Sequence, residues 1–140
     1  MSNAAIMAPV FAQIALTFAI LAGVGSSRYA AVKTREVRVS DIALSSDGWS
    51  VKVKKISNNY NNQMQLPVLF YIAVAFCILL GKVDIVAVVL AWVFVASRYI
   101  HTFIHIGSNR VTRRFLVFLF GGIVLLTLWL WLALRFYVIG

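Results

Sequence analysis

Residues 97–115 read SRYIHTFIHIGSNRVTRRF, and this stretch decides the fold because it sets cations and imidazoles into a chain that is otherwise apolar. At helical spacing Arg98, His101, Thr102 and His105 fall at i, i+3, i+4 and i+7, which is one face of one helix. Gly107, Ser108 and Asn109 then supply a turn. Arg110, Arg113 and Arg114 repeat the i, i+3, i+4 spacing where the next apolar run begins, so two adjacent helix ends carry their cations close together.

The rest of the chain says what those ends are embedded in. Its 140 residues are 62% hydrophobic, against about 45–50% for a soluble domain, and the mean hydropathy is +0.92. Four apolar runs, about 6–30, 58–80, 84–106 and 110–138, each reach the ~20 residues that a helical membrane span requires. The expected fold is therefore all-α, an integral membrane four-helix bundle forming a single domain over 1–140, with one long hydrophilic connection over about 31–57. No Lys or Arg precedes the first apolar run and several follow it, the reverse of a secretory signal peptide, so that run is read as a span.

Charge placement sets the expected topology. Of 13 Lys and Arg residues, only Lys82 and Arg135 lie away from the connection between spans one and two or the turn between spans three and four. The positive-inside tendency makes those two connections cytoplasmic and puts both termini outside. The net charge of +9 thus points to the bilayer and its anionic lipid headgroups as partners rather than to nucleic acid. The lone cysteine, Cys77, sits within the second run and reads as a small buried hydrophobe, with no disulfide framework.

A second polar group leads into span two. In ISNNYNNQMQLPVLFY, Asn58, Asn61, Asn62 and Gln65 also fall at i, i+3, i+4 and i+7. Carboxamides facing lipid without partners would each cost several kcal/mol, so the stripe should face the bundle interior or extend above the membrane. Pro67 either opens the helix at its first turn or kinks a longer one. Residues 34–55 fit a short strand, an amphipathic helix or a surface loop, and Arg28 either snorkels to the interface or points into the bundle.

Spans two and three place the carboxamide stripe and the Arg98 face at similar depth, and the start of span four brings in Arg110, Arg113 and Arg114. The result is a cationic pocket at the cytoplasmic end of the bundle, where intramembrane ionisable residues are functional by default. The chain has only four acidic residues: Glu36, Asp41 and Asp47 in the long connection, and Asp84 at the opposite turn. No carboxylate in the spans neutralises the arginines, so an anionic ligand or headgroup is expected there. His101 and His105 lack an obvious third metal ligand, and no metal is expected. The absence of intramembrane Asp or Glu also argues against a proton-coupled exporter, and nothing has the form of a Ser-His-Asp arrangement or a phosphate-cradling glycine loop. Two readings remain: a binding or catalytic pocket, and a set of polar side chains that hydrogen-bond to one another and hold the helices together.

NNQMQLPVLFY followed by SRYIHTFIHIGSNRVTRRF, within four spans and behind a long first cytoplasmic connection, resembles the bacterial branch of the MAPEG family, the membrane-associated proteins in eicosanoid and glutathione metabolism. The resemblance implies a homotrimer in the bacterial inner membrane, with glutathione held between subunits at the cytoplasmic side and a small apolar electrophile or lipid hydroperoxide arriving from the bilayer. Asn62 matches the Asn of the family's Asn-x-x-Glu signature, with Gln65 where Glu is usual. Arg98 and His101 match the third-helix Arg-x-x-His motif, and His105 stands where eukaryotic members carry a ligand-binding Tyr. Arg114 lies close to the position of the Arg credited with activating the thiol, which makes it the expected catalytic residue. Arg28, Asn58, Asn62, Gln65, Arg98, His101, His105, Arg110 and Arg113 are then the expected ligand-binding residues, for glutathione or another anion. The implied activity is that of a glutathione-dependent transferase or peroxidase; the alternative is a non-catalytic membrane protein whose cationic pocket holds a lipid headgroup.

Overall fold

The computed structural model describes residues 1–139, and among these the fold is all-α, with no strand. The helices are α1 (Asn3–Lys33), α2 (Val39–Ile42), α3 (Val51–Gln63), α4 (Leu66–Leu79), α5 (Ile85–Ile106) and α6 (Val111–Leu134), and α6 runs on into a π-helical turn over Arg135–Ile139. Four segments are long and apolar enough to cross a membrane: Asn3–Lys33, Val51–Leu79, Ile85–Ile106 and Val111–Ile139. The chain is an integral, multi-pass membrane protein. Large apolar side chains such as Phe11, Phe18, Phe103 and Leu130 are exposed around the bundle, as expected of surfaces that meet acyl chains rather than water.

Helix α5 is the centre. It packs against α6, α1 and α3, with the α6 contact the most extensive. Its buried positions are Ala87, Val88, Ala91, Phe94, Val95, Arg98, His101, Thr102 and His105, a continuous stripe at three- and four-residue spacing. The stripe changes character midway. Up to Val95 it belongs to an apolar core with Phe70, Val74, Cys77, Leu125 and Leu128, in which Phe70 and Phe94 stack at 4.9 Å between ring centroids. From Ser97 onward the same face is polar.

The second span is two helices. At 14 residues, α4 is only about 21 Å long at 1.5 Å per residue, short of the ~30 Å hydrocarbon core. The end of α3 must therefore continue the crossing. The join lies at Met64 and Gln65, where Gln65 leaves the helical region with φ −102° and ψ −105°. Pro67, in the first turn of α4, accounts for the break: it has no N–H to return to the Gln63 carbonyl, and its ring would crowd that carbonyl in an unbroken helix. Both expected roles of Pro67, opening a helix and interrupting a longer one, are thus realised together. The connection between α1 and α3 contains the single-turn α2 and no strand, and the alternating Val51–Lys54 stretch is the first turn of α3. Ala31, Val37 and Val53 make a small separate core beneath it.

At the far end from the cationic turns, Asp84 caps α5 by accepting from the Ala87 N–H at 2.9 Å. The same carboxylate receives Trp131 Nε1 at 3.0 Å and lies 3.2 Å from Arg135 Nε. This one acidic side chain ties the start of α5 to the end of α6.

Candidate functional site

At the opposite end, α5 closes on α6 through the turn at Gly107–Arg110. Asn109 adopts a left-handed φ of 48°, a conformation that Asn tolerates better than most residues. Its Oδ1 accepts from Arg114 Nη1 at 2.7 Å, so the turn itself orients the Arg114 guanidinium. Beside it lies a pocket of about 240 Å³. Asn62 and Gln65 line it from the α3–α4 junction, His101 from α5, and Val111, Arg114, Phe115 and Phe118 from the start of α6. The polar groups and the aromatic wall meet in one cavity, so a ligand with a charged part and an apolar part finds both there.

Arg98 lies behind this pocket rather than in it. It is fully buried, about 12 Å in from the end of α5 at 1.5 Å per residue. Its Nη2 lies 3.4 Å from His101 Nδ1, and its guanidinium carbon sits 5.4 Å from the centre of the Phe118 ring. Nε and Nη1 have no hydrogen-bond partner. Gly121 lets α6 come close to α5 at Ser97: a Cβ there would stand 2.7 Å from Ser97 Oγ, and 3.9 Å, an ordinary contact, from Arg98 Nη1. His105 is held by Asn62, with Nδ2 to Nδ1 at 3.4 Å, and its ring meets that of His101 edge-on at 5.6 Å.

The remaining expected residues lie elsewhere. Arg28 is exposed, donating to Ser57 Oγ at 3.1 Å and lying over the Trp49 ring at 5.2 Å; it braces α1 against α3. Arg110 and Arg113 are exposed at the start of α6, and Asn58 is exposed on α3; none of the three lines the pocket. The carboxamides Asn58, Asn61, Asn62 and Gln65 do not form a stripe facing the bundle interior. Asn58, Asn61 and Gln65 are exposed and Asn62 is half-buried, because the buried side of α3 lies one residue further on, at Asn59 and Gln63.

That buried side holds residues that the sequence reading passed over. Asn59 and Gln63 are buried with Gln13 of α1 and Thr102 of α5. Gln13 Nε2 donates to Gln63 Oε1 at 2.8 Å. Gln63 Nε2 lies 3.5 Å from Thr102 Oγ1, and the Thr102 hydroxyl lies 3.4 Å from Asn59 Oδ1. The signal for α3 was present. Counting back from the apolar positions Cys77, Val74 and Phe70 at three- and four-residue steps reaches 67, 63 and 59. Among the described residues no group of three or more His, Cys, Asp or Glu is placed to hold a metal.

Comparison with known proteins adds one finding. No curated protein and no solved structure matches the chain. The family model of the MAPEG family, in contrast, matches residues 6–134, which reaches across most of each of the four spans and takes in every residue of the pocket. The chain belongs to the MAPEG family.

Proposed function

We propose that the protein is a glutathione-dependent transferase or peroxidase acting on apolar electrophiles that reach it from the bilayer. The observation that carries this reading is the two-sided pocket, with Arg114, Asn62, Gln65 and His101 on one side and Val111, Phe115 and Phe118 on the other. Glutathione, the thiol that MAPEG proteins generally use, presents carboxylates and a thiol. Asn62 and Gln65 offer amide donors, and a Gln at 65 makes a neutral hydrogen bond where a Glu would pair with an amino group. Arg114 has one nitrogen on Asn109 and keeps its other N–H groups for the ligand. A guanidinium beside the sulfur favours thiolate over thiol, and thiolate is the nucleophile. In the transfer step the sulfur–carbon bond forms as the leaving group departs with the bonding pair.

The single chain supplies one copy's share of the site. In this reading three copies assemble, the pocket is completed between neighbours, and the cationic end faces the cytoplasm of a bacterial inner membrane with both termini outside. MAPEG members are generally oligomeric, and 11 of the 13 Lys and Arg residues lie toward that end.

Titrating the purified protein with glutathione and following thiolate absorbance near neutral pH tests the reading. The expected result is a saturable thiolate signal that Arg114→Ala reduces at least about tenfold, the effect of roughly 1.4 kcal/mol, while the oligomer stays intact. The exposed Arg110 and Arg113 at the headgroup end of α6 favour a second reading, a non-catalytic protein holding a lipid headgroup. It predicts no thiolate signal and a loss of assembly or retained lipid in Arg114→Ala.

A further inference from the structure

Arg98 is the most demanding side chain in the molecule. It is a fully buried cation inside a membrane span, with Nε and Nη1 unpartnered, and every acidic residue of the chain lies outside the spans or at the Asp84 turn. What it touches are two pocket residues, approached from behind: His101, through Nη2 at 3.4 Å, and the Phe118 ring. The chemistry of the first contact has one solution. A guanidinium has five N–H donors and no acceptor, so the nitrogen facing it must present its lone pair. His101 Nδ1 is therefore unprotonated, and the proton of the neutral ring is on Nε2. The His105 contact is different in kind, because a carboxamide offers both a donor and an acceptor and fixes neither tautomer on its own.

We infer that Arg98 is a positioning residue that locks His101, which lines the pocket together with Arg114, as the neutral Nε2–H tautomer. The inference rests on the proposed function for its consequence but not for its geometry. The Nε2–H and the Arg114 guanidinium are both donors, and a charged acceptor such as a thiolate sulfur or a carboxylate oxygen binds such donors more strongly than a neutral thiol or hydroxyl does. Arg98 thus acts on the ligand through His101 and Phe118 while remaining out of its reach. Gly121 lies one turn further along α6 from Phe118 and lets the helix come close to α5 at Ser97, next to Arg98.

The test is to label the histidines of the full chain with ¹⁵N, hold it in nanodiscs without glutathione, and record long-range nitrogen–proton correlations. The His101 signals are assigned by their loss in His101→Gln. The wild type should show His101 in a single form, Nε2 protonated and Nδ1 not. Arg98→Lys, which keeps a donor-only group, should retain that form, whereas Arg98→Met should turn His101 into a mixture of tautomers and leave the His105 signals in place. A wild-type His101 protonated on Nδ1, or already a mixture, overturns the inference without need of any variant. So does an Arg98→Met spectrum identical to wild type. Adding glutathione afterwards separates the two proposals: a locked Nε2–H tautomer that glutathione does not shift refutes the glutathione reading alone, and a shifted but unlocked ring refutes the tautomer lock alone.

Discussion

Two arginines toward opposite ends of the bundle are accommodated in opposite ways, Arg135 partly exposed and Arg98 fully buried. Arg135 closes the far end with a partner that the chain itself provides, Asp84, 3.2 Å away and also engaged by Trp131 and the start of α5. Arg98 closes the other end with no carboxylate, only an imidazole lone pair and the face of Phe118. Both lie on helices that cross the membrane, and a buried charge without a partner is the costlier case. The difference separates an end whose charges neutralise each other from one where, among the described residues, a buried cation has no counter-ion. Beside Arg98 the helices are joined by neutral amides and a hydroxyl instead: Gln13, Asn59, Gln63 and Thr102 link α1, α3 and α5 without neutralising the arginine.

The largest effect should come from that amide link. Gln63→Ala leaves Gln13 Nε2 without its acceptor and removes the donor facing Asn59 and Thr102. With about 1–3 kcal/mol for each buried group left unsatisfied, the loss should be about 3 kcal/mol, measurable by unfolding in mixed micelles. Replacing Gln13 and Gln63 together by Leu should recover part of it, because Gln13 Nε2 is then no longer stranded, although Asn59 and Thr102 still lose their donor. If Gln63→Ala costs less than Asp84→Ala, the ranking fails and the far end carries the bundle alone.

How far the cationic end could be read from sequence follows from the same contrast. The four spans, and the face joining Arg98, His101, Thr102 and His105, were legible because charged and imidazole side chains stand out against an apolar run at helical period. The α3 face was missed by one position. Asn58, Asn61 and Asn62 lie within α3 but on the side next to its buried positions Val53, Asn59 and Gln63, while Gln65, beyond the helix end, reaches the pocket from a non-helical corner. Gln13 was legible as a polar residue in span one but not as a partner, since a contact across 50 residues leaves no trace in local periodicity. Arg110, Arg113 and Arg114 are equivalent by spacing, and at the sequence level only the family resemblance set Arg114 apart; in the structure Asn109 holds Arg114 and it alone of the three lines the pocket.

The approach of α6 to α5 gives the next prediction. Gly121→Ala places a Cβ 2.7 Å from Ser97 Oγ, which is itself held on the Phe94 carbonyl at 2.6 Å. The helices must separate or the hydroxyl must turn, and overpacking of this kind costs about 1–3 kcal/mol. Ser97→Ala removes the colliding oxygen and leaves only Cβ, 3.7 Å from the new methyl. Gly121→Ala should therefore be nearly neutral in the Ser97→Ala background, a coupling that a double-mutant cycle measures directly. Equal costs in both backgrounds would mean that the close approach is not what positions Phe118 over Arg98.

The smallest effect belongs to the end that already has its partner. Asp84→Asn keeps an oxygen to cap α5 and accept from Trp131, and Asn caps a helix about as well as Asp. What it loses is the charge opposite Arg135. Both side chains are partly exposed, at 22% and 27%, so the ion pair should contribute no more than about 1 kcal/mol. Its loss should lower the thermal midpoint slightly, and by less at high salt, where the wild-type pair is already screened. The thiolate signal and the His101 tautomer, set at the other end of α5, should not change. A shift in either would mean that the two ends are coupled along α5, and that the charge of Asp84 helps to set the one at Arg98.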